Sequence, residues 1–213
     1  MAARSTVDFG TMDQALFHLI NERWTSPALD LFMAALSDVQ IWKPFLVAIG
    51  LYALIFLGFK GRAFVLCIAL TLALSEGLIV RTLKSTIGRP RPKQAQTVRL
   101  VQLQKATPKI LTLFKQPRVH YSTEKDRRPA GAGSSFPSGH VTNQFVAATF
   151  CTIFFRGWGW LYFMFAAAVA YSRIYLGAHW PSDVAATAFM GIGEALLMAA
   201  LLERAWRWAG TRW

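Results

Sequence analysis

Cysteine is nearly absent from this chain, with two in 213 residues. A disulfide framework therefore has no basis, and Cys67 and Cys151, both inside apolar stretches, read as small apolar fillers. Acidic residues are scarce as well: 11 Asp and Glu stand against 23 Lys and Arg, for a net charge of +12. No two histidines share the close spacing of metal ligands, so no metal or other cofactor is expected. The first forty residues carry Asp8, Asp13, Glu22, Asp30 and Asp38 and lack a basic segment followed by an apolar core, so no cleavable signal peptide is expected.

Charge of either sign is also missing from long runs. Pro44–Phe59 has none, and Ala63–Val80 is interrupted only by Glu76. Val141–Phe155, Trp158–Ser172 and Val184–Leu202, the last carrying Glu194, complete a set of five apolar blocks. A membrane-crossing helix needs about 20 such residues, with a range down to about 17. The expected fold is an all-α polytopic membrane bundle of about five transmembrane helices, occupying residues 43–213. Residues 1–42 carry two short amphipathic patterns, Met12–Ile20 and Pro27–Leu36, which suit helices lying in the membrane interface or ordinary surface helices.

Local signals mark the connections. Lys60-Gly61-Arg62 reads as the turn between the first two spans, and Arg156-Gly157 as the turn between the third and fourth. Gly88, Pro90 and Pro92 end the second span. Pro181 suits the first turn of the fifth. The loop over residues 93–134 is long, and its alternating patch between Leu100 and Leu113 reads as an interfacial lid helix broken at Pro108. Trp158, Trp160, Trp206, Trp208 and Trp213 read as an interfacial belt.

From Lys84 to His140 there are twelve Lys and Arg against Glu124 and Asp126. This basic patch lies between spans and holds no run suited to duplex nucleic acid, so the expected partners are membrane lipids and an anionic substrate. With five spans, the loop holding Lys84, Arg91 and His140 and the loop holding His179 fall on the same side of the membrane. Lys60, Arg62, Arg156, Arg204, Arg207 and Arg212 lie on the other side, which the positive-inside rule makes cytoplasmic.

The polar residues of that face suit a phosphoester. Lys84, Arg91 and Arg173 can neutralise a phosphate dianion. Ser138 and Gly139 precede a helix start, where a hydroxyl and backbone N–H groups would assist. His179 stands four residues before Asp183, so a carboxylate can orient the imidazole and leave its second nitrogen free to attack phosphorus. His140 can protonate the departing oxygen. His18 and His120 read as structural. Glu76 and Glu194 read first as buried partners of a cation and second as groove-lining groups. Arg89 and Lys93 are either loop charges or extra contacts for a diphosphate.

Three stretches carry a resemblance: Lys84-x6-Arg91-Pro92, Pro137-Ser138-Gly139-His140, and Ser172-Arg173-x5-His179-x3-Asp183. They resemble the three motifs of the type 2 phosphatidic acid phosphatase family, which shares its site with vanadium haloperoxidases. The resemblance implies a metal-independent hydrolase of lipid phosphates or diphosphates. It implies His179 as nucleophile, Asp183 as its partner, His140 as general acid, and Lys84, Arg91, Ser138, Gly139 and Arg173 as the phosphate pocket. The implied location is a bacterial inner membrane with the site on its outer face. Candidate substrates are undecaprenyl diphosphate, phosphatidylglycerol phosphate, phosphatidic acid and lipid A phosphates. A lipid phosphotransferase on the same framework, or a non-catalytic lipid transporter or scaffold, are the alternatives. Five spans leave no use for a haloperoxidase.

Overall fold

The computed structural model describes residues 9–104, 106, 109–124 and 133–208. Two short helices come first among the described residues. α1 (Phe9–His18) runs into a wider π-type turn at Leu19–Arg23, and α2 (Pro27–Ser37) starts where Ser26 Oγ accepts the Leu29 N–H at 3.2 Å. α3 (Val39–Phe56) follows directly, with Asp38 capping the Gln40 N–H at 2.9 Å.

The reversal into α4 (Gly58–Leu74) falls at Leu57–Gly58, where Gly58 takes the left-handed φ of 56°. The expected turn at Lys60-Gly61-Arg62 is instead helical. Gly61 serves close packing there, because an added Cβ would collide with the Ala53 carbonyl of α3. α4 continues through a π-type turn at Ser75–Val80 into α5 (Arg81–Ile87), which Gly88 ends in the left-handed conformation. A single turn, α6 (Pro92–Ala95), follows.

The long loop differs from its expected lid helix. Arg99–Gln102 (β1) pairs antiparallel with Arg118–Tyr121 (β2), Leu100 opposite His120, and a 3₁₀ segment at Lys109–Phe114 lies between them. Leu100 and Val101, successive residues that point to opposite faces, are both buried, so the apolar patch belongs to a strand covered on both sides at its middle. Pro108 and the stretch from Ala130 to Ala132 lie outside the described residues.

α7 (Gly139–Phe154), a 3₁₀ turn at Gly159–Leu161, α8 (Tyr162–Tyr175) and α9 (Pro181–Trp208) complete the bundle. α7 packs against α4, α8 and α9 and is the central helix. Each apolar block becomes a helix, as expected. Among the described residues, three helical segments are long and apolar enough to cross a membrane: Val39–Phe56, Gly58–Ala95 and Pro181–Arg204. α7 and α8, at 16 and 14 residues, are about 24 and 21 Å long, shorter than the ~30 Å hydrocarbon core. The outer faces are apolar and open: Ile55, Phe56, Phe189 and Leu197 are 63–75% exposed, as lipid-facing side chains are. Trp158 and Trp160 are exposed, whereas Trp213 lies outside the described residues.

Two cores hold the bundle. One joins Phe64, Cys67, Val146, Phe150, Phe154 and Ala195 of α4, α7 and α9. The other joins Phe17, Ile20 and Met33 of the N-terminal helices to Val98, Leu100, Val141, Tyr175 and Trp180. The first two helices thus share the core that lies beneath the polar cluster.

Candidate active site

Hydrogen bonds to backbone carbonyls stitch the three polar stretches together. Ser135 N–H donates to Arg89 O at 2.7 Å, Arg91 Nε to Gly133 O at 2.8 Å, and Trp180 Nε1 to Pro90 O at 2.9 Å. The turn carrying His179 is closed on Arg173 O, which accepts from Ala178 and His179 N–H at 3.0 and 3.2 Å. Gly177 takes a φ of 71° in this turn, and its bare Cα lets Arg99 and Leu100 of β1 approach.

The result is a cavity of about 410 Å³ whose lining includes Lys84, Arg91, Gly139, His140, Arg173 and His179. Six of the eight predicted site residues meet there. Among the described residues, Lys84, Arg91 and Arg173 make no ion pair with a carboxylate within 4.0 Å. Arg173 Nη1 donates to Ser37 Oγ of α2, and its Nε is buried with no partner. Three cations share this cavity with the single carboxylate of Glu76, which makes no ion pair with them, and such an excess of positive charge suits an anion.

His179 is 3% exposed, and its Nδ1 lies 2.5 Å from the Ser135 carbonyl. A carbonyl only accepts, so Nδ1 carries the proton and the Nε2 lone pair is free. Burial, reinforced by the positive charges of Arg173 and Arg91, holds this imidazole well below the ordinary histidine pKa. The side chain is thus a neutral imidazole with an unprotonated Nε2 beside a cationic pocket.

Two predicted residues stand elsewhere. Asp183 makes no hydrogen bond to His179: its Oδ1 accepts from Arg89 Nη1 at 2.5 Å. Its Oδ2 adjoins Ser135 Oγ without a hydrogen bond of good geometry. The task expected of Asp183, fixing the imidazole tautomer, falls here to the Ser135 carbonyl. Ser138 is fully buried, and its N–H donates to Thr187 Oγ1 at 3.1 Å, so that amide is not free for phosphate as expected.

Arg89, read as a loop charge or diphosphate contact, is bound from two sides. Its Nη2 reaches Asp13 Oδ2 of α1 at 2.6 Å, and Asp13 Oδ1 accepts the Ser182 N–H at 2.8 Å. Asp30 of α2 meets Arg99 Nη2 at 2.5 Å and the Tyr175 hydroxyl at 2.6 Å. Asn21 donates to Tyr175 O at 2.7 Å. Sequence reasoning missed these N-terminal contributors, since nothing local distinguishes Asp13 or Asp30 from surface acids. It also missed Asn143, which lines the cavity and, in the amide orientation its neighbours require, donates to Glu76 Oε1 at 3.3 Å. Glu76 lines the cavity, whereas Glu194 adjoins Ser75 without a hydrogen bond of good geometry.

Residues 63–207 match the PAP2 superfamily. The chain belongs to that family. Lipid A 4'-phosphatase of Bacteroides thetaiotaomicron is 32% identical over 171 residues, which cover 78% of this chain and 66% of that protein. The chain thus spans just under two thirds of that relative's length. The crystal structure of Aquifex aeolicus LpxE superposes with a TM-score of 0.60 at 25% identity, over 89% of this chain and 95% of that one. A transmembrane PAP2-type phosphatidylglycerolphosphate phosphatase from Bacillus subtilis superposes equally well, with a TM-score of 0.60 at 18% identity over 94% and 89% of the two chains. With these neighbours and its apolar spans, this PAP2 protein is an integral membrane protein. Its first 62 residues, which supply Asp13, Asn21, Asp30 and Ser37, precede the matched region.

Proposed function

We propose that this PAP2 protein is a metal-independent membrane phosphatase acting on a lipid phosphate. The observation that carries the reading is the convergence of three unpaired cations and two histidines on one cavity. Lys84, Arg91 and Arg173 hold the phosphoryl oxygens, and Gly139 lets the group approach the start of α7. His179 Nε2 attacks phosphorus while the bond to the alcohol oxygen breaks, and His140 delivers a proton to that oxygen. His140 then takes a proton from water, which attacks the phosphohistidine and releases inorganic phosphate. Asp183 acts on the site through Arg89 and the segment around Ser135, and Ser138 supports the start of α7.

In this reading five helices cross a bacterial inner membrane, and the short first helices lie at the interface. The site faces the outer side, opposite Lys60, Arg62 and Arg156. Residues 43–213 form the phosphatase region.

The test is phosphate release from a panel of lipid phosphates in detergent with excess chelator, comparing the unmodified chain with His179→Ala. The reading requires release that survives chelation and disappears in the variant. Transfer of phosphate to a second lipid without release would favour a phosphotransferase instead.

A further inference from the structure

α7 carries two amides, Asn143 and Gln144, in a helix whose other residues are mostly apolar. An amide among apolar side chains costs free energy unless its groups are bonded, so each needs a reason. Both line the cationic cavity, together with Gly139 and His140. Residues four apart share a helix face, so Asn143 follows Gly139 and Gln144 follows His140 one turn further along α7. Four residues rise about 6 Å, and the α7 wall thus carries polar groups one turn beyond His140.

The two amides are held differently. Asn143, in the orientation its neighbours require, gives its N–H groups to Glu76 Oε1 and Gly139 O at 3.3 and 3.2 Å. Its donors are spent within the wall. Gln144 has its carbonyl oxygen, Oε1, bonded by the Tyr162 hydroxyl of α8 at 2.8 Å. That bond fixes which end of the amide faces Tyr162, and the other end carries only N–H donors.

The phosphohistidine route needs such a donor. His179 Nε2 attacks phosphorus from one side, and the alcohol oxygen leaves on the opposite side, where His140 protonates it. The water of the second step enters on that same side, in line with the P–Nε2 bond. It has to give a proton to His140, aim one lone pair at phosphorus and have the other held by a donor. The cations are engaged with the phosphoryl oxygens, so a neutral N–H on the His140 side suits that task. Gln144, one turn from His140 on the same wall, meets the requirement.

We propose that the Gln144 N–H holds the water that hydrolyses the phosphohistidine, and that Tyr162 is the positioning residue that keeps this amide turned. The proposal rests on the phosphatase reading above and adds a residue to its second step. In that step the water oxygen bonds to phosphorus, and the P–Nε2 bond breaks with its electron pair returning to the His179 ring. The proton passes to His140, and inorganic phosphate leaves. A tie that served only to join α7 to α8 would affect both steps alike, whereas a water-holding donor affects the second.

The test measures the two steps separately. The unmodified chain, Gln144→Leu and Tyr162→Phe are loaded in detergent with the ³²P-labelled lipid phosphate that the unmodified chain hydrolyses fastest. They are then chased with unlabelled lipid and quenched rapidly in alkali. The rise of protein-bound label gives the rate of the first step, and its loss gives the rate of the second. Loss is expected to be about tenfold slower in Gln144→Leu and about threefold slower in Tyr162→Phe, with formation changed less than about twofold in both. Loss as fast in Gln144→Leu as in the unmodified chain overturns the proposal. Formation slowed by the same factor as loss also overturns it, in favour of a helix tie. Tyr162→Phe removes one hydroxyl, and its ratio of loss to formation decides alone if Gln144→Leu does not fold. Release of phosphate by the unmodified chain without labelled protein overturns the phosphohistidine route, and no release from any lipid overturns the phosphatase reading. Either failure is visible before any variant is measured.

Discussion

Arg89 Nη1 lies 2.5 Å from Asp183 Oδ1, and the same guanidinium lies 2.6 Å from Asp13 of α1. The guanidinium thus bridges two carboxylates, one on the helix that follows the His179 turn and one on a helix preceding the family's matched region. Asp13 and Asp183 are 6% and 3% exposed, so neither charge is well hydrated and each depends on Arg89.

Asp13 is therefore a positioning residue for the start of α9. Asp13→Ala removes the Ser182 cap and frees Arg89 to rotate away from Asp183. The expected result is a fall of about tenfold in kcat with KM changed little, partly restored in Asp13→Glu. Steady-state kinetics check it. A rise in KM at constant kcat would place Asp13 in substrate binding instead.

Arg173 offers a planar fork from a buried position, and lysine cannot reproduce it. Arg173→Lys is expected to lower kcat/KM by about 10²–10³-fold while the chain still folds. Ser37→Ala, which removes one anchor of the guanidinium, is expected to give a smaller loss in the same direction. Equal activity in Arg173→Lys would show that a point charge suffices.

Gly139 and Glu76 are coupled by space. A Cβ at Gly139 would lie 2.5 Å from Glu76 Oε1, so Gly139→Ala must displace that carboxylate. The single variant is expected to lose about tenfold in kcat/KM, and Glu76→Ala in the same chain to recover most of it. A double-mutant cycle measures the coupling. Strictly additive losses would mean that Gly139 matters for its backbone alone.

His179 should stay uncharged at pH 6, where an exposed histidine, with a pKa near 6.5, is mostly protonated. NMR of labelled histidine in detergent is expected to show a neutral ring with the proton on Nδ1 at that pH. The unfolded chain takes up a proton below about pH 6.5 that the folded ring refuses, so this group lowers stability as the pH falls below that value. A His179 titration midpoint at or above 6.5 would contradict the buried, uncharged placement.

The sequence showed what local pattern controls. The apolar blocks became helices, Gly88 ended one and Pro181 began another, because each signal acts within a turn of its own position. The residues that gather at the cationic cavity were legible through the motifs, whose fixed spacing belongs to one geometry. Gly61 misled because glycine serves both turns and close helix contacts, and only the position of Ala53 separates the two. The β1–β2 hairpin was hidden because its two four-residue strands are joined by a long connection holding its own 3₁₀ turn. The pairing of Asp13 with Arg89 joins residues 76 apart, and the Ser135 carbonyl that fixes His179 lies 44 residues before it. Such contacts depend on how the elements stack and leave no trace in spacing.

The most direct test of the central claim is to stop the reaction in its steady state and locate the phosphate on the protein. Turnover of a ³²P-labelled lipid phosphate, quenched in alkali and digested, is expected to leave label on the peptide containing His179. That label should be present in the unmodified chain and vanish in His179→Ala, while His140→Ala, which slows both the step that forms the phosphohistidine and the step that breaks it, should make it appear and decay more slowly. Label on another residue, or turnover by the unmodified chain with no labelled protein on rapid quenching, would contradict the phosphohistidine route.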